Sequence, residues 1–287
     1  MNLAVALVGA SNAGSYEAEA ERAARLGFAA FAPTYDESRD PAELLAVRES
    51  FNRFGVQPVV LNAYANLIHP DQATRATNVA WLQEALCSAA ALNIPWVNTM
   101  AGTRDPTLAF WAYHPENFDD DTWRCLLESV CQVLDATSEA TAGLTLEPYM
   151  LTPLSSAERL RQIVDEIDSP RLRLILDPVN IIPPSDYHRS ASALRWMFEQ
   201  LGLWIVGAHA KDHYLHRARA TIQIDERIPG QGELDYETFV RCLDALPGAS
   251  MIIEHLKEDG HILAAKRHIT EVAQRVGATL CGDNERA

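Results

Sequence analysis

Eight short apolar runs, each followed by a longer amphipathic stretch, constrain this chain more than any other feature of its sequence. The runs are NLAVALVG (2–9), FAAFAPT (28–34), QPVVLNA (57–63), PWVNTMAG (95–102), GLTLEP (143–148), LRLILDP (172–178), LWIVGAHA (203–210) and SMIIEHL (250–256). Helical periodicity occupies 16–26, 41–54, 71–92, 121–142, 156–167, 190–200, 236–246 and 262–276. RDPAE and HPDQAT place Asp or Pro at a first turn, and Asp235 in GELDYET is an expected N-cap.

A strand that is apolar along nearly its whole length is buried on both faces, which implies a parallel sheet covered by helices. Eight such units, with no linker or break in composition, predict a single (β/α)8 TIM barrel over residues 1–287. Its active site then belongs at the C-terminal ends of the strands. The competing doubly wound fold calls for a G-x-G-x-x-G turn after the first strand. GASNAGS (9–15) lacks that order, and it lacks the lysine of a phosphate loop.

The formal net charge is −15, from 24 Lys and Arg against 39 Asp and Glu. That balance argues against a nucleic-acid or anionic-membrane partner, because phosphate surfaces need clustered cations. The N-terminus has no basic n-region and no apolar stretch approaches the roughly 20 residues of a membrane span, so a cytoplasmic protein is expected. The cysteines at 87, 125, 131, 242 and 281 show no CxxC spacing and are expected to be reduced and mostly buried.

Four consecutive strands end in a potential metal ligand: Glu147, Asp177, His209 and Glu254, separated by 30, 32 and 45 residues. Each follows an apolar run, where burying a bare charge costs several kcal/mol. A shared divalent cation removes that cost for all four together. Three carboxylates and one imidazole form a fairly hard donor set, which suits Mn2+ best and also accommodates Mg2+, Co2+ or Zn2+. Two carboxylates flanking such a centre could remove a proton alpha to a carbonyl from one face and return it to the other.

These four residues, together with HAKD (209–212), PGQGELDYETF (229–239) and NLIHPD (66–71), resemble the xylose isomerase-like superfamily of sugar-phosphate isomerases and epimerases. The resemblance covers nearly the whole chain. It implies a metal at the barrel mouth held by Glu147, Asp177, His209 and Glu254, with Glu147 and Glu254 also acting as the acid/base pair. The implied activity is isomerisation or epimerisation of a small keto-sugar or sugar acid through an enediolate. A lyase or dehydratase for an oxidised sugar or inositol stands second, and a non-catalytic sugar-binding or partner-subunit barrel third. A small carbohydrate is the expected partner, with a homodimer or homotetramer the implied assembly. Many members carry D-x-x-H after the sixth strand, whereas this chain reads Asp177-Pro-Val-Asn180. That departure, like the net charge, counts against the three-metal apurinic endonucleases of the same superfamily.

Substrate contacts are expected from Asn180, from His69 after the third strand, from Arg217 after the seventh, and from Lys211. Lys211 lies two residues beyond His209 and so on the same strand face; a salt bridge to Asp177 or Glu254 is the equal alternative. Asp212 should face away and act structurally, and the stretch from about His213 to Leu234 is expected to be irregular, with His213 in a loop. Phe110, Trp111, Tyr113 and His114 lie in a long loop after the fourth strand, as a pocket wall, a lid or an oligomer contact.

Overall fold

The computed structural model of the protein describes residues 1–7 and 15–281. The tail of the first apolar run at 8–9 and residues 9–14 of the GASNAGS turn lie outside the described residues. The strands are β1 (Asn2–Val5), β2 (Ala30–Phe31), β3 (Gln57–Pro58), β4 (Leu61–Asn62), β5 (Trp96–Met100), β6 (Gly143–Glu147), β7 (Leu172–Leu176), β8 (Ile205–Ala210), β9 (Asp212–Leu215), β10 (Ile224–Arg227) and β11 (Ser250–Ile253). All pairings of the main sheet are parallel, in the order β3-β2-β1-β11-β8-β7-β6-β5-β4.

The two ends of that order, β3 and β4, are consecutive pieces of one segment, so the sheet returns on itself as a (β/α)8 barrel. The amides of Gln57 and Val59 donate to Ala29 and Phe31, whereas Asn62 donates to Pro33. This switch of parity marks a bulge between the two pieces. Pro58, which has no N–H to give, sits where its face of the strand has not yet begun to pair with β5.

Around the barrel run α1 (Tyr16–Arg25), α2 (Leu44–Phe54), α3 (Gln72–Leu92), α4 (Asp120–Ala136), α5 (Ala157–Ile167), α6 (Pro178–Ile181), α7 (Ser190–Leu201), α8 (Tyr236–Asp244) and α9 (Asp259–Val276). Ser15, Asp71, Ser156 and Asp235 cap α1, α3, α5 and α8 through their side-chain oxygens. The larger core lies between strands and helices. A smaller one fills the barrel, from Ala4, Ala6, Ala30, Ala32, Val60, Ile175 and Ile252.

Three expectations need correction. The helix expected over 121–142 ends at Ala136. The Thr137 hydroxyl donates to Val133 O and Arg171 Nη1 to Leu134 O, so side chains cap carbonyls of the last turn. The segment after the seventh run, read as irregular, contains the antiparallel hairpin β9–β10, and His213 lies buried within it rather than in a loop. Cys87, Cys131 and Cys281 are exposed, and Cys125 and Cys242 only half-buried.

Glu19 on α1 is buried and accepts a 3.3 Å bond from Thr34 N. Burial pushes its carboxyl up to about 8. Because this folded-state value lies above the unfolded one, its contribution is fully present below about pH 4.5 and is lost as pH rises through 8. At about 1.4 kcal/mol per pH unit the loss is a few kcal/mol. Glu19→Gln is therefore expected to match the parent in denaturation at pH 5 and exceed it at pH 9. Parallel pH profiles for the two proteins would refute this.

Candidate active site

Glu147 closes β6, Asp177 follows β7, His209 lies within β8 and Glu254 follows β11. These four strands stand side by side in the sheet, so their C-terminal ends converge on one part of the barrel mouth. The register pairs Met100 with Glu147 and Ile252 with His209, and strand alternation turns the four side chains inward. All four are buried, and one ligand atom from each lies within 4.8 Å of the others. His209 Nδ1 is 3.1 Å from Glu254 Oε1, 3.3 Å from Glu147 Oε1 and 3.7 Å from Asp177 Oδ2.

Each member is oriented by a neighbour. Asp177 Oδ1 caps α6 by accepting from Asn180 N at 3.1 Å, which leaves Oδ2 for the cluster. Glu147 Oε2 accepts from the Tyr64 hydroxyl at 2.9 Å and from Asn98 Nδ2 at 3.0 Å, while Oε1 faces Asn180 Nδ2 at 3.4 Å. Lys211 Nζ lies 2.8 Å from Asp177 Oδ2 and 2.9 Å from Glu254 Oε1. This lysine is thus ion-paired and also lines the cavity.

For Glu147, Asp177, His209 and Lys211 burial is the largest single influence, and the charges around each together outweigh it. It would raise the Glu147 and Asp177 carboxyls. His209 and Lys211 instead hold Glu147 below the usual carboxylate range, and Lys211 and His209 lower Asp177 to about 2. It would lower Lys211 and His209, but Asp177 and Glu254 hold the ammonium well above its ordinary value, and Glu254 and Glu147 do the same for the imidazole. Tyr64 is pushed well up by burial and by Glu147, so it stays a neutral donor.

The donor set fits a divalent cation. Asp177 Oδ2, Glu254 Oε1 and both ring nitrogens of His209 are buried without a hydrogen bond of good geometry. With the imidazole neutral, as ligation requires, three carboxylates and Lys211 leave two negative charges for a cation to balance.

Above the cluster opens a cavity of about 490 Å3. Tyr64, Phe110 and Trp111 form one wall: the Tyr64 and Phe110 rings are stacked at 5.5 Å, and Phe110 meets Trp111 edge-on at 4.7 Å. Asn180 and Lys211 are part of the lining, and Glu226 from β10 stands with His255 on a further side. His255 takes a left-handed backbone (φ 61°) that turns the chain directly after Glu254.

Two expected substrate contacts do not line this cavity. The His69 ring accepts from Asp71 N at the start of α3, as a helix-start histidine does. Arg217 is exposed and bound to Glu233. Tyr113 packs on Phe118, and His114 Nδ1 accepts from Glu116 N at the following turn. Tyr64, Asn98, Glu226 and His255 were not singled out in the sequence. Asn98 carried a signal, as an amide in the middle of the apolar run WVNTM.

The family profile of the xylose isomerase-like TIM barrel matches residues 20–275. The chain belongs to that family. No curated protein sequence matches it significantly. Among solved structures, a xylose isomerase-like TIM barrel protein from Mycobacterium smegmatis in complex with magnesium superposes with a TM-score of 0.73. It is 16% identical, over 96% of this chain and 97% of that one. D-psicose 3-epimerase with D-tagatose from Clostridium cellulolyticum H10 gives 0.67 at 16% identity, over 98% and 100% of the two chains. The probable 3-DHS dehydratase involved in petrobactin synthesis from Bacillus anthracis gives 0.72 at 13%, over 96% and 100%. At these identities the likeness is one of fold. Among the described residues no helix of this barrel is long and apolar enough to cross a membrane.

Proposed function

We propose that this barrel is a metal-dependent isomerase or epimerase that moves a proton alpha to a carbonyl of a small sugar. The observation that carries this reading is the convergence of Glu147, Asp177, His209 and Glu254 within 4.8 Å at the floor of the cavity. These four residues would hold the cation, Mn2+ by preference for three oxygens and one nitrogen, with Mg2+, Co2+ or Zn2+ also accommodated. When bound, it supplies Lewis-acid polarisation of a carbonyl oxygen, which acidifies the neighbouring C–H.

The chain's own residues would supply the proton transfers. Glu147 and Glu254 come from opposite ends of the four-strand row and are offered as the acid/base pair. Tyr64, Asn98 and Asn180 hold both oxygens of Glu147, so its basic lone pairs keep a fixed direction. Lys211 restrains Glu254 from the other side. The aromatic wall limits water access to the reacting carbon.

Elimination from an oxidised sugar begins with the same proton abstraction, and the fold of the probable dehydratase keeps that reading in second place. Incubation with ketoses in deuterated water separates the two: label at the alpha carbon with no loss of water marks isomerisation. Elemental analysis is expected to find about one divalent ion per chain. Chelation is expected to abolish turnover and to lower the melting temperature by several degrees, since a cation present at 100 times its Kd stabilises the fold by about 2.7 kcal/mol. A metal-free, fully active preparation would sink the assignment.

A further inference from the structure

We infer that the cavity is built for an uncharged substrate, a hydroxylated carbonyl compound bearing neither phosphate nor carboxylate, and that Glu226 is the residue that sets this selectivity. The inference rests on the isomerase reading of the site and names the substrate class within it.

Holding an anion takes an unspent cation or a cluster of free backbone N–H groups. Among the described residues, the cavity lining carries two basic side chains, Lys211 and His255, against three carboxylates, Glu147, Glu226 and Glu254. Both basic groups are engaged. Lys211 is bound to Asp177 and Glu254, and His255 Nδ1 lies 3.0 Å from Glu226 Oε2. Leu7 is also a lining residue, and the seven residues that follow it, VGASNAG, contain no Lys, Arg or His.

Four arginines of the surrounding loops are paired with carboxylates, and Arg219 of the β9–β10 hairpin is exposed and outside the cavity lining. Arg39 pairs with Glu17 and Asp36, Arg104 with Glu116, Arg217 with Glu233, and Arg227 with Asp225. A divalent cation on the four ligands is balanced by the three carboxylates and Lys211, so it leaves no surplus positive charge for a substrate anion. The wall of Tyr64, Phe110 and Trp111 suits the C–H face of a sugar and offers no positive charge to an anion. Glu226 completes the arrangement. It reaches the cavity from the β9–β10 hairpin and pairs with His255, whose Nε2 also lies 3.7 Å from Glu254 Oε1, so that His255 stands between two carboxylates.

The test uses the purified, metal-loaded full chain with matched probes: D-fructose, D-fructose 6-phosphate and 2-keto-D-gluconate. Binding is read by calorimetry and alpha-proton exchange by NMR in deuterated water. The neutral ketose is expected to bind at least about 30-fold more tightly than either anion. Glu226→Gln is expected to narrow that ratio by roughly tenfold, the effect of about 1.4 kcal/mol at the wall. Tighter binding of the phosphate or carboxylate, equal binding of all three, or no binding of the neutral ketose would overturn the inference. So would a ratio unmoved by Glu226→Gln. Selective binding of the neutral ketose without exchange would instead count against the isomerase reading and leave the charge selectivity standing. Exchange of the phosphorylated ketose as fast as the neutral one would do the reverse.

Discussion

Glu147→Gln is expected to cut turnover by a factor of 10^3 or more while the barrel stays folded. A glutamine keeps the size of the side chain and can still meet Tyr64 and Asn98, which now hold the Glu147 carboxylate. It cannot accept a proton from carbon, and general-base catalysis is commonly worth 10^2–10^4. It also removes one of three anionic donors, so metal affinity should fall with it. The fold should survive because the cluster carries Lys211 as well as three carboxylates, and losing one negative charge leaves no cation stranded: Lys211 keeps Asp177 and Glu254. Steady-state kinetics with saturating metal, alongside circular dichroism, checks the prediction. Retained activity would remove Glu147 from the acid/base pair.

The largest effect on stability is expected from Asp212. Its carboxylate is buried and accepts four backbone N–H bonds: Oδ1 from His213 and Leu234 at 2.9 Å, Oδ2 from Gly230 and Gly232 at 3.0 Å. It is the post around which the PGQGEL segment wraps before α8 begins. Gly232 is required by the same contact, because a Cβ there would stand 2.2 Å from Asp212 Oδ1. Asp212→Ala leaves four donors without an acceptor, and each buried donor so stranded costs about 1–3 kcal/mol when nothing relaxes. With relaxation and water entry we expect a loss of about 4 kcal/mol, a large share of a typical 5–15. That corresponds to roughly 10 °C in melting temperature for a chain of this size. Asp212→Asn should be nearly as damaging, since an amide NH2 would face two N–H groups in place of an oxygen. Urea denaturation of both variants checks this, and parent-like midpoints would refute it.

The contrast between Asp212 and Lys211, neighbours in HAKDH, illustrates how far a linear reading reaches. Strand alternation alone put His209 and Lys211 on one face and Asp212 on the other. Periodicity could not say what lay on each side. The acceptors for Lys211 come from 34 residues earlier and 43 later, and three of the four donors for Asp212 come from a turn about 20 residues on. Glu226 was harder still. Its strand is short and half-exposed, with no apolar stripe to mark it, and its partner His255 belongs to another barrel unit. His69 and Arg217 lie outside the cavity lining for the opposite reason: position after a strand says which end of the barrel a residue occupies, not whether a nearer hydrogen-bond or ion-pair partner captures it first.

By itself the sequence determined the repeating strand–helix order, the barrel that follows from it, and the four ligand candidates, because these depend on local patterns that recur with each unit. Only the tertiary structure decided the closure through the split segment 57–62 and the capture of Lys211 and Asp212 by different partners. It alone also decided the aromatic wall and the pairing of Glu226 with His255. Each of these brings together side chains far apart in the chain, and their partners are chosen by distance and burial, which no local pattern encodes.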